Sequence, residues 1–160
     1  MKEHDKTEAL PPGIEGDWQT LAEFVLPSEP GNDRVAMEKV AAAVAPLEMP
    51  RDQLERLKTA VAEATLNALE HGNRYQPDLT VCIWVRTSRR GLAVQITDQG
   101  SCPIDEPETP DLDAKLEGRQ SPRGWGFFLI KRMVDDMKVY GGPSHHTIEL
   151  FLYAEGASRS

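Results

Sequence analysis

The chain has 160 residues, of which 39% are hydrophobic and 28% charged, and a formal net charge of −8. That length makes one domain able to bury roughly two thirds of its unfolded surface. The acidic balance argues against direct nucleic-acid binding, which needs a concentrated basic surface; the longest basic runs are the pairs Arg89-Arg90 and Lys131-Arg132. Apolar stretches are short and broken by charges, so none is expected to span a membrane, and the polar start Met1-Lys2-Glu3-His4-Asp5-Lys6 is no secretory signal. Cys82 and Cys102 make no disulfide framework, and a reduced, cytoplasmic setting is expected.

Residues 1–17 are polar, contain Pro11-Pro12-Gly13 and read as a mobile tail, with one domain over 18–154 and a second tail over 155–160. Leu21, Phe24, Val25 and Leu26 predict a first strand over 20–26, ended by Pro27. A helix over about 32–44 follows, closed by Pro46 and Pro50. A second helix is predicted over 51–71, with Gly72 as its stop. At 100° per residue its core stripe is Leu57, Val61, Ala64 and Ala68, whereas Glu63, Asn67 and His71 share a separate polar row. Strands over 79–87 and 92–97 flank a Ser88-Arg89-Arg90-Gly91 turn. Residues 98–123 are poor in apolar residues, and a loop that long inside a compact domain is usually functional or disordered. A helix over 124–137 is predicted from Phe127, Phe128, Ile130, Met133, Val134 and Met137, followed by strands at 139–140 and 147–153. His145 and His146 fall on alternate sides of a strand, which prevents them from chelating one metal together.

Three separated pieces carry the chemistry: Glu63-x-x-x-Asn67-x-x-x-His71 on one helical face, Asp98-x-Gly100 where a strand ends, and Arg123-Gly124-Trp125-Gly126 where a helix begins. Each alone is an ordinary surface or turn feature; their order and spacing together are not. Free N–H groups at a helix start, with its partial positive dipole, form an anion site, and glycines there let phosphate oxygens approach the backbone. The Asn67 amide offers a neutral oxygen to a hard cation such as Mg²⁺. Glu63, one turn earlier, is placed to take a proton from an attacking hydroxyl. Asp98 can accept a hydrogen bond from the exocyclic amine of adenine. No Gly-x-x-x-x-Gly-Lys-Ser/Thr sequence occurs, so this is not a P-loop.

These motifs resemble the ATP-binding superfamily of gyrase, heat-shock protein 90, histidine kinases and mismatch-repair ATPases, and most closely its anti-sigma-factor serine kinases. Ala60 through Gly72 is similar to that family's N box, Asp98-Gln99-Gly100 to its first glycine box, and Ser121 through Ile130 to its second; Val134-Asp135-Asp136 continues the likeness, which covers about residues 20–153. The resemblance implies a two-layer α/β sandwich, one mixed and mainly antiparallel sheet with helices packed on one face. It implies Glu63 as general base, Asn67 as Mg²⁺ ligand, and Asp98 and Gly100 at adenine. Arg123, Gly124, Trp125, Gly126 and Phe127 would surround the phosphates of ATP, and Thr147 would help to hold the base. His71, in the Glu63 row, joins the nucleotide-binding set, and residues 101–123 correspond to a lid. Cys102 stands where many members have a second glycine.

Such kinases bind a sigma factor, phosphorylate a serine on an anti-anti-sigma antagonist and commonly form a homodimer; the segment 20–44 is the expected interface. Two functions follow as expectations. One is a serine kinase that sequesters a sigma factor; the other is a nucleotide-dependent regulatory module that binds partners without significant phosphotransfer. The chain is too short for a histidine kinase with its own phosphoacceptor helices or a gyrase-type ATPase with a transducer domain.

Overall fold

The computed structural model describes residues 18–100, 122–142 and 144–154, and of residues 122–125 the backbone alone. In chain order these form β1 (Gln19–Pro27), α1 (Asn32–Val44), α2 (Arg51–Asn67), β2 (Thr80–Ser88), β3 (Gly91–Asp98), α3 (Pro122–Met133), β4 (Asp136–Gly141) and β5 (His146–Tyr153). The strands make one sheet in the order β1-β2-β3-β5-β4. Every pairing is antiparallel, so the mainly antiparallel sheet expected from resemblance is antiparallel throughout among the described residues. The two-layer α/β architecture stands.

Period-two alternation decides which side of the sheet meets the helices. Val81, Ile83 and Val85 of β2, Leu92, Val94 and Ile96 of β3, and Ile148, Leu150 and Leu152 of β5 face one way. They join Ala36, Val40 and Val44 of α1, Leu57, Ala60, Val61 and Ala64 of α2, and Phe127 and Ile130 of α3 in one core. The buried alanines at 60 and 64 keep α2 slim, which lets α3 pack closely alongside it. None of the described helices is long and apolar enough to cross a membrane.

The opposite face of the sheet carries a second, smaller cluster of Ala93, Phe151 and Tyr153 with Trp18 packed against it. A charged network is buried there. Arg86 and Glu149 are only 2% and 0% exposed and pair at 2.9 Å. Tyr140 donates to the other Glu149 oxygen at 2.9 Å, and Gln95 donates to the Tyr140 hydroxyl at 2.9 Å. The Arg86 guanidinium also stacks on Trp84, 4.0 Å from the ring centroid, and approaches Trp18 at 5.4 Å. Burial pulls the Arg86 pKa down and pushes Glu149 and Tyr140 up; for Arg86 and Glu149 the partner's opposite charge offsets part of that cost.

Two element boundaries depart from expectation for physical reasons. The last helix covers Pro122–Met133 and not 124–137. Met137 pairs with Leu150 and Val139 with Ile148 in β4, so their alternation, which the helical reading overlooked, serves the sheet. Asp135 fixes the junction: its amide donates to the Phe151 carbonyl at 2.9 Å and its Oδ2 accepts the Tyr153 amide at 2.7 Å. The second helix is α-helical only to Asn67; Ala68–Gly72 widens into a π turn, a form frequent at functional sites.

Candidate functional site

Helices α2 and α3 bring the first cluster together. The helical spacing of Glu63 and Asn67 sets them one turn apart on the side of α2 that α3 approaches, and Gly126 lies directly against both. A Cβ built on Gly126 would stand 3.2 Å from Asn67 Nδ2, 3.4 Å from Asn67 Oδ1 and 3.4 Å from Glu63 Oε1. Asn67 Nδ2 is buried without a hydrogen-bond partner among the described residues, a state that costs free energy unless a ligand or water completes it. Burial pushes the Glu63 carboxyl above its ordinary pKa of 4.5, and the Asp33 carboxylate of α1 adds to the push. A proton acceptor and an amide oxygen are thus held side by side in a part-buried site.

This packing makes a prediction. Gly126→Ala should leave the thermal midpoint unchanged or slightly raised, because Ala is the better helix former by about 1 kcal/mol. It should also weaken ATP binding about tenfold, since the new methyl takes space against Asn67. Calorimetric unfolding and nucleotide titration of the same sample check both halves.

The second cluster forms where β3 ends. Asp98 is 5% exposed, and its Oδ1 accepts the Gly100 amide at 2.8 Å. Gly72, at the close of the π turn, packs so tightly on this turn that a Cβ there would strike the Asp98 carboxylate, and one on Gly100 would strike the Gly72 carbonyl. Both positions therefore demand glycine for close approach. Asn73, fully buried, ties the same corner together: Nδ2 donates to Ser28 Oγ at 2.8 Å and to the Thr80 carbonyl at 3.0 Å, and Oδ1 accepts the Gln99 amide at 2.8 Å.

Two more expected residues, Thr147 and His71, have these surroundings. Thr147, expected at the base, points to the face of the sheet away from the helices, where its hydroxyl meets that of Thr97 at 3.0 Å. The helix-facing place is held by His146, whose Nδ1 lies 3.0 Å from Asp98 Oδ1. His71 lies within the π turn, and its partly exposed ring is 3.7 Å from the Glu70 carboxylate.

The residues expected around the phosphates fall in the first turns of α3. In a helix that starts at Pro122, which has no N–H, the first free amides belong to Arg123, Gly124 and Trp125. Gly126 and Phe127 come later in the ladder, and the Phe127 side chain is core, 1% exposed. The side chains of Arg123 and Trp125, and the expected lid over 101–121 with Cys102, lie outside the described residues.

Neither His146 nor Asn73 was identified by motif. The signal for His146 was present in the alternation of β5: with Ile148, Leu150 and Leu152 facing the helices, position 146 must face them too and 147 cannot. Asn73 had no comparable signal, since its role depends on three segments meeting at one amide.

The family described as histidine kinase-like ATPase domain matches residues 26–151. An anti-sigma F factor of Halalkalibacterium halodurans is 32% identical over 114 residues, which cover 70% of this chain and 77% of that protein. One from Geobacillus thermodenitrificans is 34% identical over 110 residues, covering 68% and 74%. The fold is shared with a crystal structure of the RsbU and RsbW domains of a Mycobacterium tuberculosis protein, at a TM-score of 0.60 and 14% identity over 82% of this chain and 31% of the other. A domain match that spans most of the chain, together with relatives aligned over most of their own length, fixes the assignment: the chain belongs to the histidine kinase-like ATPase domain family and, within it, to the anti-sigma-factor kinase family.

Proposed function

We propose that this protein is an ATP-dependent serine kinase that binds a sigma factor and phosphorylates a serine of an anti-anti-sigma antagonist. The observation that carries the reading is the meeting of the Glu63 carboxyl and the Asn67 amide at Gly126, beside the first turn of α3. The amides of Arg123, Gly124 and Trp125 would receive the phosphates, and the Asp98 carboxylate would accept a hydrogen bond from the adenine amine. Gly72 and Gly100 keep the backbone close enough for a flat base to lie against this corner.

The residues present fit magnesium. Asn67 supplies a single neutral oxygen, and no group of three or more His, Cys, Asp or Glu gathers among the described residues. That donor set suits a hard cation that keeps several waters and takes its other ligands from substrate phosphates. Bound there, the metal would neutralise charge on the transferring phosphoryl group. In the transfer, Glu63 accepts the proton of the serine hydroxyl as that oxygen bonds to the γ-phosphorus. The bond from phosphorus to the β–γ bridging oxygen breaks, leaving ADP. A raised pKa suits Glu63 to this task, because it makes the carboxylate a stronger base.

β1 lies at one edge of the sheet with Val25 55% exposed, and β1 with α1 is the surface we assign to partner or homodimer contact. Incubation with γ-labelled Mg-ATP and the antagonist that co-purifies with the protein tests the activity. Label on an antagonist serine is expected; nucleotide-dependent association without any labelled product would overturn the kinase reading in favour of a regulatory binding module.

A further inference from the structure

The Asp98 carboxylate is held by a neighbour that the motif does not include. His146 is 3% exposed and sits beside β3 on the helix-facing side of β5, its Nδ1 3.0 Å from Asp98 Oδ1. An ionised carboxylate only accepts hydrogen bonds, so the proton of this contact belongs to Nδ1. The same oxygen also accepts the Gly100 amide at 2.8 Å. Two donors on Oδ1 fix the rotation of the carboxylate and leave Oδ2 with no hydrogen bond among the described residues. Gly141, paired with His146 across β4, gives the imidazole its room: a Cβ there would stand 3.0 Å from His146 Cδ2.

The tautomer has a second consequence. With Nδ1 committed to Asp98, the other ring nitrogen, Nε2, is buried without a hydrogen-bond partner among the described residues. An orphaned buried polar atom costs on the order of 1–3 kcal/mol, and an apolar side chain would fill this place without that penalty. The imidazole is thus explained by what it does to Asp98 and not by packing.

We propose that His146 is the positioning residue for nucleobase selection: it clamps Oδ1 of Asp98 so that Oδ2 is presented, in one orientation, to the exocyclic amine of adenine. The inference rests on the ATP reading above and adds to it a residue outside the motif.

The experiment compares binding of ATP and of purine riboside triphosphate, which lacks the 6-amino group, to wild type, His146→Phe and His146→Asn. Wild type should prefer ATP by about 10- to 100-fold, the range for a hydrogen bond to a charged group. In His146→Phe the preference should fall to within about twofold, with affinity for the amine-less analogue unchanged. In His146→Asn, whose side-chain amide can still donate to Oδ1, most of the preference should return. Equal loss of both nucleotides in the Phe variant would mark a merely structural role and overturn the proposal, as would an intact preference. Wild type that binds neither triphosphate would instead remove the nucleotide reading itself.

Discussion

Glu63→Gln should lower phosphotransfer by about 100- to 10,000-fold, the range that a positioned general base contributes, while ATP affinity stays within about threefold. The substitution keeps the shape of the side chain against Gly126 and removes only the proton acceptor. The pH profile of the wild type supplies an independent check. Glu63 acts while ionised, so the rate should rise with pH through its folded pKa, which burial and Asp33 hold above the ordinary 4.5. Asp33→Asn removes a negative charge that disfavours ionisation; the pKa then falls and the acid limb moves to lower pH. Single-turnover rates from pH 4 to 8 test both shifts. A Glu63→Gln protein that transfers phosphate at the wild-type rate would remove the proposed base.

The second large effect is on stability. Glu149→Leu should destabilise the fold by about 3–5 kcal/mol, because it leaves the buried Arg86 guanidinium without its carboxylate. For a domain of this size that amounts to a fall in thermal midpoint of roughly 10 °C or more. The Tyr140 hydroxyl loses its acceptor in the same change. Adding Arg86→Met to make the double variant should recover much of the loss, since replacing both members of a buried pair is far less costly than removing one. Thermal unfolding of the two single variants and the double variant closes the cycle; additive losses would show that the pair is not energetically coupled.

The contrast between these two sites shows what the sequence made legible. Glu63 and Asn67 were readable because helical spacing alone puts them on one face, and Asp98-x-Gly100 because a strand must end before such a turn. The wide turn at Ala68–Gly72 was not readable, because nothing in the local composition demands it. The face on which Thr147 lies follows from strand parity, which was available from Ile148, Leu150 and Leu152. The Arg86–Glu149 pair was hidden for a different reason. Charges at alternate strand positions normally mean a solvated face, and only Trp18, Trp84 and Tyr140, arriving from three separate segments, bury them. Likewise Met137 satisfied both a helical and a strand period, and only its pairing with Leu150 decided between them.

The central claim is that a nucleotide lies between the Asn67 side of α2 and the first turn of α3, with magnesium at the Asn67 oxygen. Isothermal titration of ATP into the wild-type protein, with magnesium and then with a chelator, tests it most directly. One nucleotide per chain is expected with magnesium, with affinity lowered at least tenfold by chelation and by Asn67→Ala. No uptake of ATP with magnesium present, or equal affinity in all three conditions, would contradict the account.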